Sequence, residues 1–146
     1  MAPFSFRLEQ VRRYRKQLEE QAMQALAQAT MRRDATLARI AGLHESIAEQ
    51  RARLCRAESL SAAERWLTQT YETALKADLA HAREILAEQE NEVDQRRIEL
   101  VQRAQDRNLL DKLKDKQAER HALEERKKEQ YSYDETATLR YKPAAF

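Results

Sequence analysis

From Ala22 to Ala57 one side of the chain repeats at alternating steps of four and three: Ala22, Leu26, Ala29, Arg33, Thr36, Ile40, Leu43, Ile47, Gln50, Leu54 and Ala57. This is the heptad spacing of an α-helix that lays one stripe against another helix. Leu26, Ile40, Ile47 and Leu54 share one core position, and Ala22, Ala29, Thr36 and Leu43 share the other. A second seam runs through Leu75, Leu79, Ala82, Leu86, Gln89, Val93, Arg96 and Leu100, slips, and resumes at Leu110 and Leu113. Between the seams, Ser61 and Glu64 have the spacing of a capping box, which starts a helix. The pattern therefore predicts helix 1 over about residues 4–58 and a turn at about 59–61. Helix 2 follows over about 62–130, and the tail 131–146 is expected to be partly disordered or frayed.

The turn holds no glycine, so one continuous helix is the competing reading. A register argument favours reversal. In an antiparallel pair folded near residue 61, facing residue numbers add to about 122. That places Ala29 opposite Val93, Thr36 opposite Leu86, Ile40 opposite Ala82, Leu43 opposite Leu79 and Ile47 opposite Leu75. Small residues then face large ones along most of the rod, which lets two helices interlock without voids. The expected fold is all-α: a long antiparallel two-helix coiled-coil hairpin, about 80–100 Å long, with helix 2 overhanging helix 1 at the open end. Arg33, Gln50, Gln89, Arg96 and Arg103 interrupt the seam and weaken it.

Composition agrees with an extended helical chain. No proline occurs between Phe4 and Lys142, and Gly42 is the only glycine. Charged residues make up 36% of the chain and aromatics 6%, a balance that suits exposed helix better than a globular core. Cys55 is the only cysteine, so an intrachain disulfide is excluded. No apolar stretch is long enough to span a bilayer, and the N-terminal residues have no secretory apolar region. A cytosolic chain is expected, one that meets a membrane only through a partner.

Net charge is +2, but its distribution is uneven. Arg7, Arg12, Arg13, Arg15 and Lys16 open the first helix, and Lys112, Lys114, Lys116, Arg120, Arg126, Lys127 and Lys128 close the second. A hairpin brings both groups to its open end. Such a cluster suits an acidic protein surface. Nucleic acid is disfavoured because overall charge is near zero and no stacking aromatics are interleaved along the helices. Phe4, Phe6, Tyr14, Tyr131, Tyr133, Tyr141 and Phe146 belong to the open end, while Trp66 and Tyr71 sit near the turn. They read either as local packing or as two contact patches, since aromatics anchor interfaces.

Catalytic chemistry has no foothold. One glycine cannot build a phosphate loop. His44, His81 and His121 are scattered, and Cys55 has arginines nearby but no partner histidine. No enzymatic activity, cofactor or metal is expected.

Three short segments carry a family resemblance. Phe6-Arg7-Leu8-x-x-Val11-x-x-x-Arg15 resembles the opening of the bacterial flagellar export protein FliJ family, and Leu110-Asp111-Lys112-Leu113-Lys114-Asp115-Lys116 resembles its leucine–lysine run. Glu129-Gln130-Tyr131-Ser132-Tyr133-Asp134-Glu135-Thr136-Ala137 is similar to its closing segment. Tyr131 and Tyr133 depart from the usual residues there, and Leu139 to Phe146 show no recognisable family pattern.

The resemblance implies a non-enzymatic central stalk of the flagellar type III export apparatus, at the cytoplasmic face of the inner membrane. Its open end would enter the hexameric export ATPase and promote assembly and turnover. The body toward the turn would contact the cytosolic domain of the export-gate membrane protein, and the protein would serve in recycling export chaperones. On that reading Arg7, Arg12, Arg13, Arg15, Lys112, Lys116, Arg120 and Lys127 contact the ATPase through charge-assisted hydrogen bonds. Leu43, Ile47, Trp66, Tyr71 and Leu75 contact the gate, although Leu43, Ile47 and Leu75 are also seam residues. The stalk protein of a virulence-type secretion system, a structural coiled coil and an export chaperone are the alternatives.

Overall fold

The structure, a computed structural model, describes residues 2–56 and 60–144. It is all-α, with two long helices packed against each other as a hairpin: α1 (Glu9–Arg56) and α2 (Ala62–Arg140). The capping box at the start of α2 forms as expected. Glu64 N donates to Ser61 Oγ at 3.2 Å, and Ser61 N donates to Glu64 Oε2 at 3.2 Å. Each bond satisfies a backbone donor that the first helical turn would otherwise leave free. The expected turn at 59–61 lies partly outside the described residues.

Two boundaries differ from the sequence reading. α1 begins at Glu9 rather than near residue 4. Residues 2–6 are non-helical; Phe6 is buried, Phe4 is half-buried and Ser5 is exposed. Burial thus alternates along this segment, and both rings are covered. Glu9 N then donates to Phe6 O at 3.1 Å, and Arg12 N donates to Leu8 O at 2.9 Å, which closes the first turn. At the other end α2 runs on to Arg140, so residues 131–140 are helix rather than a frayed tail. Nothing in that stretch stops a helix before Pro143, which biases the residue before it away from helix. The Thr136 and Thr138 hydroxyls donate to the carbonyls of Ser132 and Asp134, four residues back.

The chain divides into two compact units. The central unit is Glu20–Val101, and the terminal unit joins Met1–Glu19 to Gln102–Phe146. The central unit carries the apolar seam. Ala22, Ala29, Ile47, Leu75, Leu79, Ala82 and Val93 are buried there, and Ile40 and Leu43 pack against the cluster of Ile47, Leu75 and Leu79. Arg32 donates to Glu92 at 2.9 Å and Arg51 to Glu72 at 2.9 Å, cross-links that agree with the expected register. Gln89 Oε1 is buried without a hydrogen-bond partner among the described residues, a seam position that costs stability.

The terminal unit is built differently. Its one buried apolar side chain among the described residues is Phe6. Most seam positions there hold charged residues, Arg12, Arg15, Glu19, Arg107 and Lys114, beside the half-buried Leu110, and ion pairs link the two helices.

Candidate functional site

No group of three or more histidine, cysteine, aspartate or glutamate side chains among the described residues could hold a metal ion. No helix among them is long and apolar enough to cross a membrane.

In the terminal unit a chain of alternating charges crosses between the helices. Lys114 Nζ donates to Glu9 Oε2 at 3.1 Å, and the other oxygen of Glu9 accepts from Arg12 Nη1 at 2.9 Å. Arg12 Nε donates to Asp111 Oδ1 at 2.6 Å. Asp111 Oδ2 accepts from Arg107 Nη1 at 2.6 Å, and Arg107 also donates to Glu19. Arg15 reaches Asp106 at 3.4 Å.

These bonds favour the charged forms. The hydrogen bond from Lys114 is the main cause that holds the Glu9 carboxyl below its ordinary range. The hydrogen bond from Arg12, helped by Arg107, does the same for Asp111 against an opposing effect of burial. Arg12 and Arg107 are in turn shifted upward, chiefly by Asp111 and by Glu19.

The candidate ATPase contacts thus fall into two groups. Arg12 and Arg15 are half-buried and bound to acids of the facing helix. Arg7, Arg13, Lys112, Lys116, Arg120 and Lys127 are exposed, although Arg13 lies 3.7 Å from Glu9. The terminal unit carries sixteen basic and eleven acidic residues, and the central unit eleven and fourteen. Formal charge is thus +5 in one and −3 in the other. The acids that occupy Arg12 and Arg15 lie 99 and 91 residues away in the linear sequence, where no local spacing joins them. Applying the seam register to the charges would have found them.

Beyond Glu125 every described residue of α2 is exposed, including Tyr131, Tyr133 and Leu139. The non-helical N-terminal residues lie beside the preceding turns. The Phe4 ring is 5.7 Å from the His121 ring, and a cavity of about 430 Å³ is lined by Ala2, Pro3, Phe4, His121, Ala122, Glu125 and Arg126.

The candidate gate contacts also divide. Ile47 and Leu75 are each 7% exposed and belong to the core cluster, with Leu43 half-buried against it. Trp66 and Tyr71 are 64% and 50% exposed, so their rings face solvent. Leu67, 60% exposed, lies next to Trp66, and it lines a groove of about 340 Å³ with Arg53, Leu54, Leu60, Glu64 and Thr68. Cys55 is exposed.

The family model described as Flagellar FliJ protein matches residues 4–145. No curated protein and no solved structure matches the chain significantly.

Proposed function

Because the chain belongs to the flagellar FliJ protein family, which assigns it in general to the flagellar export apparatus as a stalk protein, we propose that it works as a non-enzymatic stalk whose terminal unit enters the hexameric export ATPase. There it promotes ring assembly and turnover. Its central unit links the ATPase to the cytosolic domain of the export gate, and the protein takes part in chaperone recycling.

The observation that carries this reading is the family match over nearly the whole chain, on a two-helix all-α fold. The charge division supports the choice of ends. A net basic unit with Arg7, Arg13, Lys112, Lys116, Arg120 and Lys127 exposed can form charge-assisted hydrogen bonds to carboxylates or carbonyls of loops around it. Arg12 and Arg15 have a different part: they hold α1 to α2. Trp66 and Tyr71, as exposed aromatics, are the gate contacts, and Leu43, Ile47 and Leu75 hold the helix pair beneath them.

The test is the hydrolysis rate of the cognate export ATPase with and without this protein, read alongside the hexamer fraction. A rise in both supports the stalk. No effect from a fully helical protein would overturn it.

A further inference from the structure

The terminal unit exposes apolar side chains that its charges do not explain. Val11 and Tyr14 on α1 are 43% and 57% exposed, and Leu109 and Leu113 on α2 are 67% and 38% exposed. Leu18, half-buried, continues the α1 row. On each helix these positions follow at steps of three and four, so each row occupies one flank.

The ion pairs show which flanks adjoin. Arg15 reaches Asp106, and Asp106 is one heptad before Leu113. The Arg12–Asp111 and Glu9–Lys114 pairs lie on the opposite flank. The Val11–Leu18 flank of α1 therefore runs beside the Leu109–Leu113 flank of α2. The same pairs bring Val11 level with Leu113 and Tyr14 level with Leu109. Two helices side by side leave a groove between them, here floored by Val11, Leu18 and Leu113 together with the Arg15–Asp106 pair, and with Tyr14 and Leu109 as its edges.

The groove has a charged end. On α2, Lys116 is one heptad after Leu109 and Arg120 one heptad after Leu113, and Arg7 stands two residues ahead of the start of α1. All three are exposed and take no part in the ion pairs of the described residues. The face thus passes from apolar to basic along its length. A groove between two helices fits a third helix, with apolar anchors at i, i+3, i+4 and i+7. Charge complementarity makes that helix acidic.

We infer that this face of the terminal unit docks an acidic amphipathic helix of a partner protein, with Val11, Tyr14, Leu18, Leu109 and Leu113 as the apolar seat and Arg7, Lys116 and Arg120 as its electrostatic clamp. The inference rests on the groove and stands whether or not the terminal unit enters the ATPase. A second copy of this unit is a poor occupant, because two such faces would set basic clusters against each other.

The test uses the full chain and a fluorescent synthetic helix of about three heptads, with leucine at the two core positions and glutamate on the flanks. A scrambled peptide of the same composition and a lysine-flanked counterpart are the controls. Saturable binding is expected for the acidic helix, and binding about tenfold weaker or worse for either control. Tyr14→Glu with Leu109→Glu alters only exposed side chains and should weaken binding at least about tenfold while helicity stays unchanged. Arg7→Gln, Lys116→Gln and Arg120→Gln together should weaken it and flatten its salt dependence. A spin label on the peptide should broaden amide signals of residues 11–18 and 106–116 in the unaltered chain, a readout independent of any substitution. Equal binding of the scrambled or lysine-flanked peptide, unchanged binding by the glutamate variant, or broadening elsewhere would overturn the inference. So would a dimer in sedimentation that Leu109→Glu dissociates, because the face would then belong to a second copy.

Discussion

Arg12 on α1 donates a 2.6 Å hydrogen bond to Asp111 on α2, and Asp111 is also held by Arg107, which reaches back to Glu19 on α1. One carboxylate therefore couples two arginines and both helices. Among the described residues, Phe6 is the one buried apolar side chain of the terminal unit, with Leu18 and Leu110 half-buried. Pairing in the terminal unit depends on charge, and charge can be titrated and screened.

Asp111→Asn removes that charge at nearly constant shape. At neutral pH it should lower amide protection across residues 9–19 and 103–114 several-fold, with protection of residues 40–47 and 75–82 unchanged. The acid response has a definite sign. Glu9 and Asp111 titrate below their ordinary values of 4.5 and 3.8 in the folded chain. Their stabilising effect is complete above those values and is lost as pH falls through the lowered folded ones. Protection in the terminal unit should therefore fall below about pH 4, more in the wild type than in Asp111→Asn. Equal protection of the two proteins at pH 7 would remove the ionic clasp from the account.

Gly42 lies inside α1 with no positive φ, and a Cβ built there meets nothing within 4 Å. No close approach or turn requires a glycine. Gly42→Ala should stabilise the chain by about 0.5–1 kcal/mol, through helix propensity and a less flexible unfolded chain. A thermal melt checks this; an unchanged or lower midpoint would show that the alanine meets a cost within the fold that offsets its helix propensity.

The apolar seam and the capping box were legible because each depends on local spacing. Ala29, Ile47, Leu75, Ala82 and Val93 are buried at positions that the heptads marked. Partner choice among charges was not legible along the chain. A run such as Arg12, Arg13 and Arg15 reads as one basic cluster, yet fold geometry gives Arg12 to Asp111, Arg15 to Asp106, and leaves Arg13 largely exposed. Helix ends were misplaced for two reasons. Phe4 and Phe6 gain cover in a non-helical segment that helix propensity does not foresee, and Tyr131 to Arg140 stay helical although every one of them is exposed. In that last segment local propensity and the threonine back-bonds act without tertiary help.

Tyr71 and Ile47 separate a contact role from a core role. Tyr71 is half exposed, so Tyr71→Ala should weaken binding to the gate's cytosolic domain while the melting midpoint and ATPase stimulation hold. Ile47→Ala leaves a hole beside Leu75 and Leu79 and should cost about 2–4 kcal/mol. Its gate binding should fall only as far as the fold does. Loss of stability in Tyr71→Ala, measured by denaturant unfolding, would make that ring structural as well.

The exposed bases supply the sharpest test of the stalk reading. Arg13, Lys112 and Lys127 are exposed on the terminal unit; Arg13 and Lys112 lie off the flank proposed for helix docking, and Lys127 lies one heptad beyond Arg120 at its basic end. Reversing all three to glutamate changes formal charge by six and should leave the Arg12–Asp111 and Arg107–Glu19 bonds in place. Helicity should therefore be kept. Stimulation of the export ATPase should fall at least about tenfold, since each lost charge-assisted contact is replaced by repulsion. Arg12→Glu should also reduce stimulation, but by a different route, because it sets a carboxylate against Glu9 and Asp111 and loosens the helix pair. Amide protection of residues 9–19 tells the two apart: preserved in the triple variant, lost in Arg12→Glu. Full stimulation by the triple variant, with protection intact, would show that the ATPase is not gripped through these exposed bases.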